Sequence, residues 1–134
     1  MLYKIRPVEH DDVPFIINSW LRSYWKATAH NQGIAKNAYY TYHHKLVEKA
    51  VKDELIFVAV NTHDSEQIFG WCCFKDQYEM HILHYIYVKQ PFRRFGIAQA
   101  LLNSIGSLDI ITHKTEMGDL LSETFYNPYI FYEL

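Results

Sequence analysis

Cysteine is nearly absent from this 134-residue chain: Cys72 and Cys73 are its only two, and they are adjacent. Neighbours on a strand point to opposite faces, so the two thiols cannot form an ordinary bridge with each other, and their spacing is not that of metal ligands. They read as small buried hydrophobes, and no metal is expected. With 5 glycines and 4 prolines the chain has no low-complexity or linker composition. No run approaches the ~18 apolar residues of a membrane helix. The opening segment, Met1 to Pro7, shows no hydrophobic stretch with a small-residue cleavage site, so the expected location is the cytoplasm, with no membrane partner. Excess charge is missing too: 13 Lys and Arg against 15 Asp and Glu leave a net charge of −2. That balance argues against a nucleic-acid binder resting on phosphate neutralisation, although Lys89, Arg93 and Arg94 form a local basic patch.

What the chain does have is apolar and aromatic side chains, 49% hydrophobic residues and 16% aromatic, enough for one core. At this length roughly 68–70% of the unfolded surface can be buried, which predicts a single domain over residues 1–134.

The pattern predicts an alternating α/β order. Leu2 to Arg6 reads as a strand, and Asp11 or Asp12 caps a helix carrying Phe15, Ile16, Trp20, Leu21 and Tyr24, with Pro14 in its first turn. Asn37 to Lys52 reads as a second helix. Within it, His43 and His44 diverge by ~100° and read as a solvated or packing pair. Three strands follow, Leu55 to Asn61, Gln67 to Lys75 and Glu79 to Val88. A helix beginning around Arg94 runs to about Ser104, with Gly106 as its C-cap, before a strand at Leu108 to Thr112. Thr115 to Glu123 reads as a short helix, and an aromatic run, Tyr129 to Tyr132, ends the chain.

The most informative stretch is Ile86 to Leu102. A β-branched and aromatic run is stopped by Pro91, and a helical pattern carrying Gly96 in its first turn follows. Amides at a helix start lack intrahelical acceptors and carry the positive end of the macrodipole, so they bind anions, phosphate above all. Gly96 and Ala98 keep that surface low, and Arg93 and Arg94 add charge. Gly96 also suits close packing of a helix on a sheet.

Arg93-Arg94-Phe95-Gly96-Ile97-Ala98, five residues beyond Val88, resembles the acetyl-CoA loop of the GNAT family of N-acetyltransferases. The resemblance is specific over residues 79–105 and rests on element order elsewhere. It implies a mixed, mainly antiparallel central sheet flanked by helices, with a shortened C-terminal end, since only six residues follow Asn127-Pro128 where relatives close with a hairpin. Either the last strand is single, or a second copy of the chain completes it in a homodimer.

The resemblance implies acetyl-CoA as acetyl donor and a primary amine, on a small molecule or a protein, as acceptor. It implies a cofactor site at Ile86, Tyr87, Val88, Arg93, Arg94, Phe95, Gly96, Ile97 and Ala98, with the Val88 amide as the oxyanion contact. Strict alternation puts Met80, Ile82, His84, Ile86 and Val88 on one face, leaving His84 as its only ionisable group and the candidate base. Ile82 stands where many relatives carry a catalytic Glu, and Glu79 and His81 are weaker alternatives. Tyr126 is the candidate general acid by chain order, with Tyr129 second. Trp20, Tyr24, Trp25 and Tyr39, on the first helix pair, are candidate acceptor-binding residues or core. Two other readings compete: a GNAT-fold protein without catalysis, and an unrelated module stacking single-stranded nucleic acid on Tyr85 to Tyr87.

Overall fold

A computed structural model describes residues 2–113 and 124–132. Six strands form one sheet in sequential order: β1 (Tyr3–Pro7), β2 (Leu55–Asn61), β3 (Asp64–Gln77), β4 (Met80–Val88), β5 (Ile110–Ile111) and β6 (Phe125–Tyr126). The first four pair antiparallel; β5 joins β4, and β6 joins β5, in parallel. The helices are α1 (Val13–Ala27), α2 (Lys36–Asp53), α3 (Ile97–Ile105) and the single turn α4 (Tyr129–Tyr132). The mixed sheet flanked by helices is the architecture expected from the sequence.

Each face of the sheet buries its own core. Under α1 and α2 lie Val58, Val60, Trp71, Cys73 and Tyr85, joined by Ile16, Trp20 and Val47 from the helices and Phe131 from α4. Under α3 lie Ala59, Cys72, Leu83, Ile86 and Val88, met by Ile97, Leu101 and Leu102. Cys72 and Cys73 therefore do point to opposite faces, and burial pushes the Cys72 thiol up to about 12, leaving it inert.

Strict alternation fails on β4. Phe74 pairs with Leu83 while the preceding Cys73 pairs with Tyr85, so His84 is the extra residue of a β-bulge. Beyond the bulge, Ile86 and Val88 face α3, whereas Tyr85 and Tyr87 face α1. The expected common face of His84, Ile86 and Val88 does not exist, because a one-residue insertion exchanges the faces of everything after it.

Local details also differ from expectation. The third helix starts at Ile97 rather than Arg94: Arg93 is extended, and Arg94 (φ 70°) and Gly96 (φ 80°) are left-handed. Gly96 is thus the N-cap, not a first-turn residue. At α1, Asp12 holds the N-cap position but makes no capping bond from its side chain. Its carboxylate instead accepts Arg6 Nη1 at 2.7 Å, Arg6 Nη2 at 3.0 Å and the Glu9 amide at 2.7 Å. The aromatic tail after β6 is the helical turn α4. The helix expected at Thr115 to Glu123 lies outside the described residues.

Among the described residues, no helix is long and apolar enough to cross a membrane.

Candidate functional site

Strand β5 ends at Ile111, and its last bond to β4 side is Thr112 N–H to the Leu83 carbonyl at 3.0 Å. Beyond that point β4 runs on to Val88 without β5 beside it. Lys89 N–H bonds the Phe69 carbonyl on β3 at 2.8 Å, so by ladder alternation the peptide groups of Ile86 and Val88 face away from β3, into the gap. Arg93 confirms the direction: its Nε donates to the Val88 carbonyl at 2.9 Å. Gly70 lets the strands meet here, since a Cβ on it would lie 2.6 Å from the Tyr87 carbonyl oxygen.

The loop after Val88 turns backbone amides toward the same gap. The first intrahelical bond of α3 is Ala100 N–H to the Gly96 carbonyl at 2.9 Å, so the amides of Ile97, Ala98 and Gln99 precede the ladder. At φ 80° Gly96 takes a conformation that costs a side-chain-bearing residue ~1–2 kcal/mol. A Cβ there would meet only the Tyr3 hydroxyl, at 3.8 Å, so the space above the turn is open.

These features border a cleft of about 790 Å³ between α1, the end of β4 and the start of α3. Of the residues expected at a cofactor site, Ile86, Tyr87, Val88, Arg93, Arg94, Gly96, Ile97 and Ala98 line it. Phe95 does not, and stands 52% exposed on the loop. Four cations, Arg22, Lys26, Arg93 and Arg94, share the wall, and no carboxylate is among the described residues that line it. Unpaired helix-start amides, an open strand edge and this charge fit a long ligand with phosphates at one end and amides along its length.

Sequence reasoning missed the wall that α1 supplies: Ser19, Arg22, Ser23 and Lys26, together with Tyr85 of β4. The signal was present, since positions 19, 22, 23 and 26 form a polar stripe at helical spacing. Ser19 Oγ donates to the Phe15 carbonyl at 2.7 Å and accepts Trp71 Nε1 at 2.9 Å. Ser23 Oγ donates to the Ser19 carbonyl at 2.6 Å and lies 2.8 Å from the Tyr85 hydroxyl. With its one proton so used, Ser23 accepts from Tyr85.

The other candidates sit elsewhere. His84 is 1% exposed and off the cleft wall; its Nδ1 lies 3.0 Å from Thr112 Oγ, and its Nε2 has no partner among the described residues. Thr112 Oγ also meets His113 Nδ1 at 3.0 Å, joining two buried imidazoles. Burial lowers the pKa of His84 to about 4, with a smaller contribution from the Lys75 charge, and burial alone lowers that of His43 to about 4. Burial, then the charges of His43 and His84, pushes His113 below the usual imidazole range as well. His43 is a packing residue, stacked on Tyr39 and Tyr24 with centroids 5.0 and 5.3 Å apart. His44 is exposed and 3.3 Å from Glu48, its i+4 neighbour.

Trp20 is wholly buried and Tyr39 is 4% exposed, its hydroxyl donating to the Leu21 carbonyl at 2.8 Å; both belong to the core. Tyr24 and Trp25 are half-buried beside them. Tyr126 lies on β6 close enough for Tyr24 and Tyr129 to influence its titration; burial and their charges push it up. Among the described residues, no cluster of three or more His, Cys, Asp or Glu is arranged to hold a metal.

Solved structures share this fold. A Pyrococcus furiosus protein whose assignment as an acetyl transferase is provisional is 18% identical and superposes with a TM-score of 0.69 over 91% of each chain. Apo YjaB from Escherichia coli is 21% identical, with a TM-score of 0.57 over 78% of this chain, which spans only 65% of YjaB. The PaiA N-acetyltransferase of Thermoplasma acidophilum, solved with coenzyme A, is 18% identical, with a TM-score of 0.51 over 78% of this chain and 69% of its own. No curated protein matches the sequence significantly. The profile of the acetyltransferase (GNAT) family matches residues 17–105, well over half of the chain, and the chain therefore belongs to the GNAT acetyltransferase family.

Proposed function

We propose that this chain moves an acetyl group directly from acetyl-CoA to a primary amine of a small molecule or protein. The carrying observation is the cleft: four cations with no carboxylate among the described lining residues, helix-start amides at Ile97 to Gln99, and the outward peptide groups of Ile86 and Val88 line one continuous space. In this reading Arg93, Arg94 and the amides of Ile97 and Ala98 hold the diphosphate, and Ile86 and Val88 bond the amide-bearing arm like an added strand. The donor, when bound, supplies an activated thioester. The Val88 amide, facing the gap, stabilises negative charge on the acyl oxygen. The coenzyme A bound to the Thermoplasma relative supports the same ligand here.

The acceptor side of this proposal is assigned to the first helix pair, where Tyr24 and Trp25 are half-buried against the core that holds Trp20 and Tyr39. Neither His84 nor Tyr126 is among the described residues that line the cleft, so neither carries this reading. A second reading, coenzyme A binding without transfer, is favoured by one observation: no carboxylate or imidazole is among the described residues that line the cleft. Thermal unfolding with acetyl-CoA, followed by thiol release across a panel of amines, tests both. The first reading expects stabilisation and amine-dependent release. Stabilisation without release supports the second, and no stabilisation removes both.

A further inference from the structure

The cleft wall holds a hydroxyl pair that the cofactor loop does not explain. Tyr85 is 3% exposed, yet it lines the cleft beside Ser23. Its ring is fixed by stacking on Trp20 at 5.3 Å and by tilted contact with Trp71 at 5.7 Å. Its hydroxyl is fixed by Ser23 at 2.8 Å, and the Ser23 proton is engaged by the Ser19 carbonyl. The β-bulge at His84 is what turns Tyr85 toward α1, one residue before the peptide groups of Ile86 and Val88 face the gap.

Acyl transfer at this site has two protons to manage. The attacking nitrogen must lose one and the departing sulfur must gain one. Among the described lining residues no carboxylate or imidazole is available for either step, and the cations Arg22, Lys26, Arg93 and Arg94 have no free lone pair at neutral pH. A phenol can do both at once, because its oxygen accepts while its O–H donates.

We propose that the Tyr85 hydroxyl, positioned by Ser23, shuttles the proton from the acceptor nitrogen to the departing sulfur. As the C–N bond forms and the C–S bond breaks, the Tyr85 oxygen takes a proton from nitrogen and gives its own to sulfur. The products are an amide and a thiol, and Tyr85 ends as it began. Burial, the largest influence on this phenol, raises its pKa, so a free phenolate is disfavoured and simultaneous exchange is the low-cost route. Ser23 is a positioning residue: by accepting from Tyr85 at rest it holds the phenol oxygen at the wall, and rotation about the C–O bond redirects the proton to sulfur.

This inference rests on the acetyl-CoA reading, and its test separates the two. Binding of coenzyme A and of its desulfo analogue is measured by calorimetry on the wild type, Tyr85→Phe and Ser23→Ala, with unliganded melting temperatures as the check on folding. A hydroxyl that meets the sulfur gives the wild type about a fivefold preference for the thiol, in keeping with one hydrogen bond. Tyr85→Phe is expected to bind the desulfo analogue as the wild type does and to lose the preference, while Ser23→Ala keeps part of it. In turnover, Tyr85→Phe is expected to lower kcat about 10²-fold or more with little change in KM for acetyl-CoA. An equal thiol preference in wild type and Tyr85→Phe overturns the shuttle and leaves the cofactor reading standing. Failure of the wild type to bind either ligand overturns both. If Tyr85→Phe does not fold, the Ser23→Ala preference decides: unchanged from wild type, it overturns the proposal.

Discussion

Arg93 Nε donates a 2.9 Å hydrogen bond to the carbonyl of Val88, tying the anion-binding loop to the end of the strand that forms the gap. One side chain thus ties two parts of the cleft together, and Arg93 is itself among the residues that line it. Arg93→Ala is expected to weaken coenzyme A binding about tenfold or more, because it removes both a charge and the loop's anchor. Arg93→Lys should recover only part of that, since lysine lacks the planar fork. Calorimetric titration of the two variants checks this, and equal affinity in both would show that the anchor is idle.

Gly96 separates conformational from steric effects. Alanine there faces open space, 3.8 Å from the Tyr3 hydroxyl, yet must hold φ near 80°. Gly96→Ala is therefore expected to cost ~1–2 kcal/mol in denaturant unfolding. Gly96→Glu, which adds bulk and negative charge beside the free amides, should abolish coenzyme A binding while the chain still folds. Retained binding would place the phosphate site elsewhere.

Much of this arrangement is legible in the sequence. Pro91 stops β4, Gly96 opens α3 and Gly106 closes it, because each residue type restricts or frees backbone angles locally. The bulge at His84 is not legible, since it depends on how Phe74 and Leu83 pair across β3 and β4 and leaves no mark in composition. Its consequence is large: alternation alone puts His84 beside Ile86 and Val88, and the bulge puts Tyr85 at the cleft instead. The aromatic residues of α1 and α2 read equally as core or site, and only packing shows Trp20 and Tyr39 in the core.

The buried imidazoles make stability depend on pH. His43 and His84 titrate near 4 in the folded chain, against about 6.5 when unfolded. Between those values the unfolded chain binds more protons, so the contribution is fully present above pH ~6.5 and is lost as pH falls toward 4. Melting temperature is expected to fall steadily from pH 7 to pH 5. His43→Phe, which keeps the stacking on Tyr24 and Tyr39, should flatten part of that slope. A profile unchanged by the substitution would mean that His43 is as accessible to protons as in the unfolded chain.

Phe131 anchors the tail. It is 1% exposed and packs against His113 at 4.5 Å, His84 at 5.3 Å and Trp20 at 5.7 Å. Phe131→Ala should cost about 3–5 kcal/mol in urea unfolding, the range for emptying a buried aromatic site. A loss below ~1 kcal/mol would show that α4 contributes little to the core.

The most direct test of the account is thiol release from acetyl-CoA by the wild-type chain, followed with and without a panel of primary amines, alongside the Gly96→Glu variant. Amine-dependent release by the wild type and none by the variant is the expected result. Release by both, or release that ignores the amine, would contradict acetyl transfer at this cleft.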